Sequence, residues 1–198
     1  MTIPARVHFC WIGSKLPWAY VFAILSAAAR SELPEIILHH TDVLEDGPEL
    51  RALQAAPLVR LDHIDAVACL KQAGKALEID DALVNIYLGL DSPVMRTDIL
   101  RSAILFVQGG IYLDLDTITT ISLRPLLDLH QFVGNEFIVW PHFVRMSYSP
   151  VLWAHSLVLD VLRKILLRLN SGWRLFRRVE HFYYRGINNA VMGAEAGS

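Results

Sequence analysis

The sequence predicts an α/β fold with a mostly parallel central sheet flanked by helices. Three observations predict it. Short apolar runs alternate with longer helical stretches in the order strand, helix, strand, helix, helix, strand. Hydrophobic residues make up 54% of the 198 and charged residues 19%, enough apolar material for one large core. A helix with a clear start and a glycine stop then leads straight into a buried strand ending in two carboxylates, Asp114 and Asp116. In such folds ligands sit at the carboxyl ends of strands.

Residues 5–12 alternate weakly and read as the first strand, closed by Gly13. Pro17 opens a helix running to about Arg30. Residues 35–40 read as a second strand. Asp46, Gly47 and Pro48 signal a turn with a short helix after it. Residues 58–61 suit a third strand, and residues 63–89 read as mainly helical. Ser92 as N-cap and Pro93 at the first helical position start a helix that Gly109 ends. Residues 111–113 form a buried strand, and residues 137–140 are a further strand candidate. No repeat, low-complexity tract or linker divides the chain, so residues 1–198 are expected to form a single domain.

Two segments raise the question of a membrane. Trp18 to Ala29 is too short to span a bilayer and reads as a buried helix. The small residues Ser26 to Ala29 resemble a leader cleavage site, but the segment before them would itself contain a strand. Val151 to Leu169 is interrupted by His155, Asp160, Arg163, Lys164 and Arg168, and so reads as an amphipathic helix. Basic and aromatic residues gather in 151–185, with Trp153, Trp173 and Phe176 among Arg174, Arg177 and Arg178. That mixture suits peripheral contact with a membrane surface or a lipid-linked acceptor, and equally a packed helix with a solvated basic face. The net charge of −2 gives no global field for nucleic acid. Two cysteines, Cys10 and Cys69, make no disulfide framework, so a reducing, cytoplasmic setting is expected.

Asp114 and Asp116 pose a physical problem, because like charges so close repel. Something positive is expected beside them. A helix from Arg101 to Gln108 travels roughly 10 Å, and a strand from Ile111 to Asp114 returns roughly the same distance. The strand end therefore comes back level with Asp98 and Arg101, which share a helix face. In extended backbone Asp114 and Asp116 project to the same side. Two carboxylates make a hard-oxygen site for Mg²⁺ or Mn²⁺, an ion that keeps waters and takes further ligands from substrate phosphates. The bland alternatives are a turn cap or solvated side chains for the doublet, and an ordinary surface pair for Asp98 and Arg101.

Taken together, Thr97-Asp98, Arg101, Gly109-Gly110 and the doublet Asp114-Leu115-Asp116 resemble the D-x-D sugar-binding region of family-32-type glycosyltransferases. That group includes fungal Golgi mannosyltransferases, bacterial polysaccharide enzymes and, distantly, the catalytic domains of large glucosylating toxins. Ile3-Pro4, His8 and Trp11-Ile12-Gly13 resemble the family's opening strand. The stretch from Gly186 to Glu195 is similar to an asparagine-containing loop near the sugar and acceptor, which brings in Asn188 and Asn189. The resemblance implies a GT-A fold and metal-dependent, retaining transfer from a UDP- or GDP-sugar to a hydroxyl acceptor, a glycan or a lipid-linked one. It implies that Trp11 stacks on the base beside Ile12 and Gly13. It implies that Asp114 touches sugar and ribose hydroxyls, that Asp116 ligates the ion, and that Asp98 and Arg101 hold sugar hydroxyls. His8 is expected to be a satisfied interior histidine. The family's C-terminal tail, a source of further metal and diphosphate contacts, is expected to be lacking, and a non-catalytic nucleotide-sugar or glycan-binding module is the alternative.

Overall fold

The computed structural model describes residues 2–198. They form two compact units, residues 2–133 with 189–198, and residues 134–188. In chain order the strands and helices are β1 (Arg6–Trp11), α1 (Trp18–Arg30), β2 (Glu35–His40), α2 (Pro48–Gln54), β3 (Val59–His63), α3 (Ala66–Ala76), α4 (Ala82–Gly89), α5 (Pro93–Gln108) and β4 (Gly110–Leu113). There follow β5 (Gln131–Ile138), α6 (His142–Arg145), α7 (Pro150–Leu167), α8 (Gly172–Val179) and β6 (Tyr184–Ala194). Strand order in the sheet is β3-β2-β1-β4-β6-β5. The first four strands in that order run parallel, and β6 adds antiparallel to β4 with Leu113 opposite Val191. The expected α/β class with a mostly parallel sheet is what forms.

Strand alternation sorts the core of the first unit onto two faces. Val7, Phe9, Ile36, Leu38, Ile111 and Leu113 point to one side and pack with Val21, Ile24 and Ala27 of α1. Cys10 and Tyr112 point to the other and pack with Leu70 of α3 and with Leu100 and Ile104 of α5. The second unit has a smaller core around Val139, Leu159 and Tyr183, joined by Phe137, Trp140 and Phe176.

The two glycines after α5 are dictated by geometry. Gly109 has φ 61° and Gly110 has φ 119°, both in the region that side chains avoid. A Cβ on Gly109 would lie 2.7 Å from the Ala196 nitrogen, and one on Gly110 would lie 2.7 Å from His8 Nε2. Chain reversal and close packing thus both require glycine here.

Several expectations are corrected. Ser92 occupies the N-cap position of α5, but its side chain makes no capping bond. Residues 63–89 are mainly helical as expected, but as two helices, broken where Glu78 and Asp80 take positive φ. Asp65 caps the first of them, accepting from the amides of Val67 and Ala68 at 2.9 and 3.1 Å. The strand expected at 137–140 is β5, which starts earlier and ends at Ile138. The asparagine-containing segment near Gly186 is a strand, β6, and not a loop. In α7 the expected division into an apolar inner and polar outer face does not hold. Ser156 is buried on the inner side, and aliphatic residues such as Val158 and Ile165 stand exposed on the outer.

Candidate active site

β4 carries Asp114 out of the core at the carboxyl end of the sheet, beside the last residues of the parallel strand β1. A cavity of about 180 Å³ opens there, lined by Trp11, Tyr20, Thr97, Arg101, Asp114 and Asp116 among others. The positive charge expected beside the doublet is Arg101. It is 5% exposed and projects from α5. Its Nη1 donates to Asp114 Oδ1 at 2.5 Å and to the Asn189 carbonyl at 3.2 Å. Its Nη2 pairs with Asp98, one helical turn earlier. The guanidinium also lies 5.3 Å from the centre of the Tyr112 ring. Its Nε is buried with no hydrogen-bond partner. A planar fork with fixed charge suits the bridging of two carboxylates that would otherwise repel.

Asp114 is braced further. Its Oδ1 accepts from the Tyr112 hydroxyl at 3.0 Å, and its amide donates to the Ala190 carbonyl of β6 at 2.8 Å. Burial, with Cys10 and Asp114 adding, holds the Tyr112 phenol well above its ordinary pKa, so it stays a donor. Asn189 Nδ2 donates to Asp98 Oδ1 at 3.4 Å. Asp98, Arg101, Asp114 and Asn189 are therefore brought together, with Tyr112 as a member that sequence reading missed. Tyr112 sits one residue from a recognisable position inside an apolar strand, and nothing in that pattern marks its hydroxyl as a ligand.

The doublet itself is not extended. Beyond β4 the chain turns, with the Thr117 amide and hydroxyl both bonding to the Asp114 carbonyl at 3.0 and 2.6 Å. This corrects the expectation that both carboxylates project to one side of a strand. Asp114 is held inward, whereas Asp116 is exposed and forms no hydrogen bond or ion pair with the described residues.

On the opposite wall, Trp11 meets Tyr20 edge to face, with ring centres 5.1 Å apart. Its indole nitrogen is buried without a hydrogen-bond partner. Gly13 has φ 134°, a backbone conformation that side chains rarely adopt; a Cβ there would only touch the indole, at 3.5 Å. The Gly13 amide donates to Asp42 at 2.9 Å. Ile12 packs with the core under α3 and α5. Asn188 falls in the second unit.

His8 is the satisfied interior histidine expected of it. Nε2 donates to the Gly109 carbonyl at 2.8 Å, and Nδ1 lies 2.8 Å from His39 Nε2. His39 Nδ1 in turn meets Asp62 at 2.7 Å. Burial, with His39 adding, lowers the His8 pKa to about 3. Burial also lowers His39, against the opposing pull of Asp62. The chain of contacts ties β3, β2 and β1 to the glycine turn that sets the direction of β4.

Comparison with known proteins bears on the same segment. Residues 58–133 match the family model described as glycosyltransferase sugar-binding region containing DXD motif. No curated protein sequence matches the chain. Among solved structures, the chain is similar to the PaToxG glycosyltransferase at 19% identity and a TM-score of 0.46, covering 61% of this chain and 45% of that one. It is also similar to the UDP-bound glycosyltransferase domain from the YGT toxin at 11% identity and a TM-score of 0.43, covering 100% of this chain and 59% of that one. The chain thus spans about half the length of these solved chains. The matched segment holds α5, the glycine turn and the aspartate doublet.

Proposed function

We propose that the chain is a metal-dependent, retaining glycosyltransferase of GT-A type, moving a hexose from a UDP- or GDP-sugar to a hydroxyl of a glycan or lipid-linked acceptor. The observation that carries this reading is the Arg101 clamp. It pairs with Asp98, fixes Asp114 at the edge of a pocket and leaves Asp116 at its mouth, within the segment matching the DXD family.

The donor set fits a hard divalent cation. Among the described residues Asp116 has no competing partner, and no cluster of three or more His, Cys, Asp or Glu could cage a metal. Mg²⁺ or Mn²⁺ characteristically takes one or two carboxylates and completes its shell with water and substrate phosphate. When bound, such an ion would neutralise charge on the departing diphosphate. Asp116 would hold it, with Asp114 as the nearer support.

Trp11 offers an indole face for the base. Asp98, Asn189 and Asp114 offer acceptors and a donor for sugar and ribose hydroxyls. Arg101 acts as a positioning residue, because its fork is already engaged on Asp98 and Asp114. Retention follows the family resemblance: the acceptor attacks on the leaving-group side, and the transition state is oxocarbenium-like. Cytoplasmic location with peripheral membrane contact completes the reading. A non-catalytic nucleotide-sugar or glycan-binding module of the same fold is the alternative reading.

The test is a thermal-shift panel of UDP- and GDP-sugars with and without Mn²⁺. A metal-dependent shift that Asp116→Asn abolishes is expected. An unchanged shift in that variant overturns the metal assignment, and binding without release of UDP or GDP favours the binding module.

A further inference from the structure

The second unit has an unusual outer surface. Val151, Leu157, Val158, Val161 and Ile165 all stand exposed, with Val151 at 73% and Val158 at 63%. Their spacing puts them on the side of α7 opposite its buried residues Ser156, Leu159 and Leu166. The result is an aliphatic stripe roughly 20 Å long facing outward. At the C-terminal end of α7 the stripe meets the exposed Lys164 and Arg168. After a short turn α8 adds Arg174, Arg177 and Arg178, all exposed. Trp173, 58% exposed, lies under two of these guanidinium groups at 5.2 and 5.5 Å.

Charge separates this unit from the remainder. Residues 134–188 hold eight Lys and Arg against three Asp and Glu, a net +5. The first unit holds ten against 17, a net −7. Among the described residues no helix is long and apolar enough to cross a membrane.

We infer that α7 and α8 form a docking surface for an anionic lipid bilayer, lying in its interface. Exposed aliphatic side chains on one face of α7, basic residues at its end and on α8, and an exposed tryptophan against two of those arginines match the acyl, headgroup and interfacial layers respectively. A nucleic acid would satisfy the arginines but leave the aliphatic stripe in water. A second copy would bring +5 against +5. The surface is independent of the donor pocket, so loss of nucleotide-sugar binding leaves it standing.

Flotation of the full chain with vesicles tests it. Binding is expected to phosphatidylcholine vesicles containing phosphatidylglycerol, weakening as salt rises, and not to phosphatidylcholine alone. The triple variant Arg174→Gln/Arg177→Gln/Arg178→Gln should bind roughly a hundredfold more weakly, from about fivefold per basic residue. The double variant Val161→Asp/Ile165→Asp should lose binding. Both should melt like the parent and keep the Mn²⁺-dependent nucleotide-sugar shift if the parent has one. Equal binding to neutral vesicles, no binding to either, a concentration-dependent dimer that Val161→Asp dissolves, or heparin binding in place of vesicle binding would each overturn the inference.

Discussion

The two units use polar residues in opposite ways. In the first, charged and titratable groups are drawn inside and given partners. Arg101, His8 and His39 are all buried, and each meets a carboxylate, a carbonyl or another ring. In the second, the basic residues stay outside among exposed aliphatics. The difference teaches where specificity resides. Buried polar networks tolerate few arrangements, because every unmet group costs free energy. An exposed apolar and basic surface imposes almost no geometry on the fold, and its requirements come from outside it.

Substitutions can break that comparison. The largest effect is expected from Arg101→Ala, which leaves Asp98 and Asp114 facing each other without compensation. Breaking a fully buried pair costs about 3–5 kcal/mol. Both carboxylates are partly exposed, so a loss of about 2–3 kcal/mol is expected, read by urea unfolding. Gly110→Ala comes next. Positive φ and a close approach to His8 together predict a loss of about 1–3 kcal/mol in the same measurement.

Acid should also act on the first unit. The folded pKa of His8 is lowered to about 3 from 6.5, so between those values the unfolded chain binds the extra proton. Stability therefore falls as pH drops below 6.5, by about 2 kcal/mol on reaching pH 5. His8→Asn should flatten that dependence, which thermal melts across the range will show. The smallest effect is expected at the outer face of α7. Val161→Lys should change stability by no more than about 0.5 kcal/mol, since the side chain is 48% exposed. A loss as large as that at Gly110 would show that the surface is packed in solution.

The parts of this architecture most legible in the sequence are those fixed by local rules. Pro93 and the glycine pair bound α5, and the apolar run after them can only be a buried strand. Spacing alone then returned Asp114 to Arg101. What escaped is what depends on partners distant in the chain. β6 is rich in glycine and asparagine, which strands usually avoid, and it forms because β4 offers an open edge. The link from Asp62 through His39 to His8 joins three strands whose register no local pattern states. The outward turn of Asp116 depends on Thr117, whose hydroxyl and amide close on the Asp114 carbonyl.

The contact between His8 and the Gly109 carbonyl has one more consequence. It fastens the strand that presents the indole to the bend that aims the carboxylates. The two walls of the pocket are thereby referenced to a single point, like jaws on a common pivot. A shift of one wall is therefore expected to carry the other with it, which would hold the width of the gap between them.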